Sequence, residues 1–305
     1  MKAVLHQAAT VAPYDASVLI TGRSGTGKEV VAREIHRNSP RAAGPFIAIN
    51  CGAIPDNLME SEFFGHCRGA FSGASEDKAG LFEEAEGGSL FLDEIGCMNE
   101  ASQVKLLAAL DRGEIRRVGE NSIRRVSTRV LAATNEDLDK ALEQGRLRQD
   151  LFYRLNVMHI HIPPLSERRD DIIPLVEHFV HLCNKKLGLR VRHIAREARE
   201  ALLNYPWRGN VRELQNVIER AMILTEGDSI TLENFPYEIR TGAPRPVALQ
   251  EETESLSLKK AHRDLERAYI TRALNRTGGN RSQAAILLEI SYPGLLQKIK
   301  EYGIL

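Results

Sequence analysis

Residues 17–29 read S-V-L-I-T-G-R-S-G-T-G-K-E, and the next seven, V-V-A-R-E-I-H, have helical spacing. An apolar strand, a glycine-rich turn and a helix follow one another, with G-x-x-x-x-G-K spanning Gly22 to Lys28. Gly22, Gly25 and Gly27 let backbone N–H groups close around a phosphate, and Arg23, Ser24 and Thr26 complete the cradle. Lys28 reaches the β- and γ-oxygens, and the helix start adds positive potential. One position departs from the pattern. Glu29 stands where Ser or Thr usually supplies a hydroxyl to Mg²⁺.

A second apolar strand, S-L-F-L-D-E at residues 89–94, ends in two carboxylates. Alone, such a pair is a common solvated strand end or helix cap. Downstream of a phosphate loop it reads differently: Asp93 positions Mg²⁺, and Glu94 orients or deprotonates the water that attacks the γ-phosphate. Together the two stretches describe a nucleoside triphosphatase.

Around them, strand-like runs at 17–21, 45–49, 89–92, 129–133 and 157–162 alternate with amphipathic segments, which predicts an α/β fold with a five-stranded parallel sheet wrapped in helices. The last run alternates, Met158, Ile160 and Ile162 against His159 and His161, as expected of an edge strand. From Ser166 to about Glu238 the periodicity is helical only, with Ile172, Leu175, Val176 and Phe179 on one face. The expected division is an α/β subdomain at 1–165, a helical subdomain at 166–238, a Pro- and acid-rich linker at 239–256 and an all-α module at 257–305.

The 305-residue chain carries 41 basic and 41 acidic residues, so it is neither a polycation nor an acidic tail overall. No apolar run reaches the length of a bilayer span, and Met1–Gln7 lacks a signal-peptide core. Four cysteines without a C-x-x-C pair fit reduced thiols, and the expected location is the cytoplasm. Cys67 beside His66 has no second Cys/His pair to complete a metal site. Residues 256–305 hold nine Lys and Arg against four acids, a basic module suited to nucleic acid.

The motifs G-R-S-G-T-G-K-E, E-S-E-F-F-G-H-C-R-G-A-F-S-G-A, L-F-L-D-E-I, A-A-T-N, L-R-Q-D-L-F-Y-R-L-N-V and W-R-G-N-V-R-E-L-Q-N occur in one order. In this the chain resembles the AAA+ activators of sigma-54 RNA polymerase, the NtrC-type bacterial enhancer-binding proteins, from about Val4 to Leu305. The resemblance implies an AAA+ ATPase with a helical lid, using ATP and Mg²⁺. It implies that Asn50 holds Glu94 until γ-phosphate is sensed; read alone, Asn50 is a strand-end turn former. It likewise implies that Asn135 is the sensor near the γ-phosphate and Arg212 the lid arginine touching nucleotide. Without the family, Arg212 would be a surface arginine paired with Glu213 or Glu219.

Arg148 and Arg154 match the family's candidate arginine fingers, which complete a neighbouring subunit's site and so imply a ring, a hexamer by resemblance. Six residues apart, they would diverge by about 240° on an ideal helix, so one reaching nucleotide and the other bracing the interface is the expected split.

Gly69, Ala70, Phe71, Ser72, Gly73 and Ala74 form the loop by which the family contacts sigma-54. Its single large apolar residue, Phe71, is either tucked into the core or held ready for a partner. Ser72 stands where the family has Thr, Arg23 where Glu is commonest and Arg208 where Pro is usual; Cys67 and Cys97 replace residues that are often acidic.

The last 48 residues read as three helices, with Leu258, Ala261, Leu265 and Ala268 at helical intervals, Gly278 and Gly279 as stops and Asn280 as an N-cap. The spacing is helix-turn-helix, resembling the Fis-type domain of these activators, and the recognition helix is expected to begin near Tyr292 or Pro293. Tyr292, Gln297 and Lys298 are candidate groove contacts, with Arg281, Ser282 and Lys300 toward the backbone.

The implied partners are the sigma-54 RNA polymerase holoenzyme, enhancer DNA bound by dimers, and further copies of the chain. Many relatives carry a receiver or ligand-sensing domain before the ATPase, as in two-component systems, so Met1 is either a true start or a truncation. Two alternatives stay open: an NtrC-like DNA-binding ATPase that does not engage sigma-54, and an AAA+ DNA remodeller.

Overall fold

The structure is a computed structural model and describes residues 1–241 and 258–303. The chain divides into two compact units, with the division between residues 244 and 245. In the first, β1 (Val18–Thr21), β2 (Phe46–Asn50), β3 (Ser89–Asp93), β4 (Arg129–Thr134) and β5 (Met158–His161) form one parallel sheet in the order β2-β3-β4-β1-β5. In register, Ile20 lies opposite Ala133 on one side and Ile160 on the other. The runs V-L-I-T and R-V-L-A-A-T are buried throughout, as expected of strands covered on both faces. As its alternation predicted, β5 is an edge strand, and His159 and His161 are both exposed.

The pleat sends alternate residues into two cores. Leu19, Leu90, Leu92, Val130 and Ala132 pack with Met59, Phe63, Leu106 and Leu151, which come from helices on one face. Val18, Ile20, Phe91, Leu131 and Ala133 pack on the other face with Val4, Ala8, Val31 and Ile35. The latter four come from α1 (Lys2–Val11) and α2 (Lys28–Arg37). The buried Arg129 holds α1 in place. Its Nη1, Nη2 and Nε donate to the carbonyls of Ala12, Val11 and Ala16 at 2.9, 3.1 and 3.1 Å, so one guanidinium closes the end of the helix and the chain beyond it.

Three further helices of this subdomain bear on the site: α3 (Asp56–Phe64), α4 (Glu100–Arg112) and α5 (Gln149–Leu155). Between α4 and β4 the chain makes a short antiparallel pairing, Glu114–Ile115 with Arg124–Arg125, which periodicity did not reveal.

The helical subdomain contains α6 (Ile172–Leu187), α7 (Arg196–Asn204) and α8 (Asn210–Ile223) around Trp207, whose indole N–H donates to Leu202 O at 2.8 Å. Two readings are corrected here. The region is not helical only, because His193–Ile194 pairs in parallel with Ser229–Ile230. It also does not end at Glu238: a short helix, Tyr237–Thr241, places Ile239 in the subdomain core, so residues 239–241 are not linker. The rest of the expected linker lies outside the described residues.

In the second unit, α9 (Leu258–Arg276), α10 (Arg281–Leu287) and α11 (Tyr292–Tyr302) pack around Ile270, Ala273, Ala284, Ala285 and Leu295. The side chains of Leu258, Ala261 and Leu265 lie outside the described residues. Asn280 caps α10 by accepting from Ser282 N and Gln283 N, and Ser291 caps α11 by accepting from Gly294 N, with Pro293 in the first turn.

Replacing Arg129 with Leu keeps the volume and strands three carbonyls. We expect a loss of about 2–4 kcal/mol, read as a lowered urea midpoint with α1 exchanging its amide hydrogens first.

Candidate functional site

Four of the five parallel strands end at the same edge of the sheet in a residue singled out above, because parallel strands share their carboxyl edge. β1 runs into Gly22, β2 ends on Asn50, β3 on Asp93 followed by Glu94, and β4 precedes Asn135. Lys28, the first residue of α2, is buried, and its Nζ donates to Gly22 O at 3.2 Å across the loop. Thr26 Oγ1 donates to Arg23 O at 2.8 Å, while Arg23 and Ser24 are exposed. Glu29 points along the helix to Arg33 at 2.6 Å.

Asp93 and Asn50 are register partners on neighbouring strands, and Asp93 Oδ1 accepts from Glu94 N at 3.1 Å. Glu94 has φ 57°, a left-handed conformation that a non-glycine residue adopts only under local constraint. Burial pushes its carboxyl above the usual carboxylate range, opposed by Lys28 and the Asn135 backbone N–H and reinforced by Asp93 and Glu136. Asn50 makes no hydrogen bond to Glu94 among the described residues; its Oδ1 accepts from Gly52 N at 2.8 Å and caps the turn after β2. The turn-former reading describes this geometry. Asn135 is exposed at the end of β4.

The lid closes directly on the phosphate loop. Arg212 Nη1 donates to Ser24 Oγ at 3.2 Å, and Glu213 and Glu219 bond elsewhere, to Gly209 N and Lys186. Arg212, Arg208, Arg220, Ser24 and Pro236 help to line a cavity of 470 Å³.

Two residues that sequence reasoning passed over hold this arrangement. Asn210, 1% exposed, donates from Nδ2 to Ser24 O and accepts at Oδ1 from Leu165 N, both at 2.9 Å. Arg168 donates to Thr26 O at 2.8 Å; burial lowers its pKa, partly offset by Asp171. Asn210 stands inside the quoted W-R-G-N-V-R-E-L string, so its position was available though its role was not.

Arg148 and Arg154 do not lie on one continuous helix, so the 240° spacing does not apply, although the two side chains do diverge as expected. Arg148 is the N-cap of α5 with extended backbone, paired with Asp150 at 2.9 Å and Glu100 at 3.1 Å. Arg154, within α5, pairs with Asp111 at 2.9 Å.

The Gly69–Ala74 loop folds on itself, with Gly69 N donating to Ala74 O at 2.8 Å and Ala74 N to Phe71 O at 3.0 Å. Phe71 is neither buried nor detached: it is 38% exposed and sits edge-on to His66 with ring centroids 5.0 Å apart. Ser72 and Gly73 are exposed beside it, and Ala70 packs against Gly119. Cys67 N donates to Val118 O and Val118 N to Gly65 O, so the 114–125 excursion supports the base of the loop. No group of three metal-binding side chains occurs among the described residues.

On α10 and α11, Arg281, Ser282, Tyr292, Gln297 and Lys300 are exposed. Lys298 is half-buried, and its ammonium lies 2.6 Å from both Glu266 oxygens, a pair that ties α11 to α9.

A phosphate loop, paired carboxylates at the neighbouring strand end and a helical lid delivering an arginine define an AAA+ P-loop ATPase. Residues 1–161 match the sigma-54 interaction domain family, 166–252 the AAA+ ATPase lid domain and 262–302 the Fis family of bacterial regulatory proteins. The chain belongs to the sigma-54-dependent transcriptional regulators.

It is 44% identical over 299 residues to the transcriptional regulatory protein ZraR of Klebsiella oxytoca, covering 98% of this chain and 66% of that protein. It is 46% identical over 308 residues to the response regulator protein PilR of Pseudomonas aeruginosa, covering 100% and 68%. The chain thus spans about two thirds of the length of these relatives. NtrX from Brucella abortus superposes with a TM-score of 0.80 at 37% identity over 100% of this chain and 68% of that one, and its complex with ATP with 0.74 at 35% over 100% and 68%. Among the described residues, no helix is long and apolar enough to cross a membrane.

Gly25 has φ 75°, and a Cβ there would stand 2.4 Å from Gly209 O in the lid. Gly25→Ala must therefore strain the loop or push the lid away, at about 1–3 kcal/mol. We expect roughly tenfold or weaker nucleotide affinity in a fluorescent-ATP titration.

Proposed function

We propose that the chain hydrolyses ATP in a ring of its own copies and uses the cycle to remodel sigma-54 RNA polymerase at promoters whose enhancers it binds through α10 and α11. The observation that carries the reading is the meeting of Lys28, the Asp93–Glu94 pair and the lid arginine Arg212 at one edge of the sheet, in a chain that also presents Phe71 on a self-closed surface loop. The complex of NtrX with ATP supports the nucleotide assignment. Location in the cytoplasm follows from the DNA and polymerase partners.

Residues Gly22–Lys28 and the start of α2 take the phosphates, and Arg212 follows them from the lid. Asp93 fits a Mg²⁺ bound with nucleotide phosphates: it offers carboxylate oxygen, half-buried at the end of β3 and beside Glu94, which lies in the field of Lys28. Such an ion supplies neutralisation of the transferring phosphoryl charge. Glu94, held high by burial and within the field of Lys28, accepts the proton of the attacking water.

Asn135 lies where the γ-phosphate can be sensed, and Asn50 exchanges its bond with Gly52 for one with Glu94. Arg148 and Arg154 are held at the surface by exposed ion pairs of small worth, which a neighbour's phosphate can displace. A hexameric ring, DNA-binding dimers of the Fis-type unit and an N-terminal regulatory domain in the intact protein complete the proposal. The domains are the ATPase at 1–165, its lid from 166 to about 241 and the DNA-binding unit at 257–305.

Glu94→Gln should still bind ATP while turnover falls by about 10²–10⁴-fold, measured by phosphate release. The partner is tested by trapping with purified sigma-54, ADP and aluminium fluoride. A complex on a native gel that Phe71→Ala abolishes supports engagement, with ATP turnover read in parallel to separate loss of partner from loss of folding. ATP turnover without a trapped complex would discard sigma-54 coupling and leave a DNA-binding ATPase.

A further inference from the structure

Gln103 and the Glu136–Arg146 pair fill the space between two segments that the proposed chemistry assigns to different subunits' sites. One is the turn Glu94–Met98, which follows β3 and carries the water-activating carboxylate. The other is Gln144–Arg148, which ends on the arginine proposed to serve a neighbour.

Gln103 lies on α4, 2% exposed, with every polar atom of its amide engaged. Its Nε2 donates to Met98 O at 2.9 Å and to Arg146 O at 2.8 Å, and its Oε1 accepts from Arg148 N at 2.9 Å. One buried side chain therefore bolts the end of the first segment to two peptide groups of the second. Movement of either segment alone would leave a buried amide unpaired.

A second strut runs beside it. Glu136, the residue after Asn135, forms an ion pair with Arg146, whose Nε also donates to Gln144 Oε1 at 3.0 Å. The remaining oxygen, Glu136 Oε2, is shielded from solvent and has no hydrogen-bond partner. It stands 2.7 Å from where a Cβ on Gly96 would be, so Glu136 rests on bare backbone of the Glu94–Met98 turn. The side chain of Arg148 is differently placed. Its ion pairs with Glu100 and Asp150 are exposed, so the guanidinium can change partners while its backbone stays bolted.

We propose that Gln103 and the Glu136–Arg146 pair form a relay by which the Glu94–Met98 turn and Asn135 of one subunit set the position of Arg148 presented to the next. All three are positioning residues: Gln103 and Arg146 join the two segments, and Glu136, besides its ion pair, bears on Glu94 only through the field that helps raise its carboxyl. The relay rests on the ATPase-ring reading above and adds to it a route between a site occupied in cis and the cation offered in trans. Small displacements suffice, because misplacing a catalytic group by about 1 Å can cost 10²-fold in rate.

The test uses the full chain, with Mg-ATP turnover measured against protein concentration and nucleotide affinity measured separately. Glu136→Arg and Arg146→Glu should each lower kcat by about 10- to 100-fold with little change in KM, and the double reversal should recover most of the loss. Added to Arg148→Ala, Arg146→Glu should lower kcat no further, since both act through the same arginine and Arg146 is not among the charges that shift Glu94. Gln103→Met should behave as the single variants do; because it alters a buried site, the half-buried charge pair, whose double reversal restores the ion pair, keeps the test decisive if that variant fails to fold.

Single variants with wild-type kcat, or losses that add to that of Arg148→Ala, would overturn the relay. A wild-type chain without turnover, or with a rate per chain independent of concentration, would overturn the ring reading and the relay with it.

Discussion

The contact between the phosphate loop and the lid is the constraint on which the site depends. Val211 N donates to Gly25 O at 2.9 Å, Asn210 Nδ2 to Ser24 O and Arg168 to Thr26 O, so three consecutive loop carbonyls are held by residues beyond the sheet. The approach is close enough that Gly25 has no space for a side chain. Since Asn210 also accepts from Leu165 N, one buried amide joins the loop, the chain leaving the sheet and the first turn of α8. Buried polar groups of this kind are costly to leave unpaired, so loop and lid must move together. Arg212 is thereby brought to the loop.

Charge is arranged around that contact with similar economy. Lys28 is the cation buried in the loop, opposite a carboxyl edge where Asp93, Glu94 and Glu136 crowd together. Burial, with that crowding added to it, raises the pKa of Glu94, whose left-handed backbone is the kind of local tension that persists where surrounding structure holds it. The arginines proposed to act between subunits have the opposite treatment. They rest in exposed pairs that cost little to break, so a trans-acting cation is held in place without being committed.

Much of the fold was legible because it is local. Continuous apolar runs marked the covered strands and alternation marked β5 as an edge. Asn280 and Pro293 marked helix starts by capping and first-turn chemistry that acts over a few residues. The pairing of His193–Ile194 with Ser229–Ile230 was not legible, since two-residue strands have no period to detect. Arg148 was misjudged because an ideal helix was extended through an N-cap, where the backbone is extended. The Lys298–Glu266 pair was not legible either, because the two residues lie 32 positions apart on different helices.

By itself the sequence determined which chemistry is present: a glycine loop with its lysine, two carboxylates at a strand end, a lid arginine and a Gly-flanked aromatic loop. Each of these is a short string whose meaning depends on neighbours in the chain. Only the tertiary structure decided how the parts are coupled. Asn210 over Ser24, Gln103 between Met98 and Arg148, and Glu136 on the bare backbone of Gly96 join residues far apart in sequence. Their worth comes from burial and from the pairing of distant amides and charges, and neither quantity exists until the chain has folded.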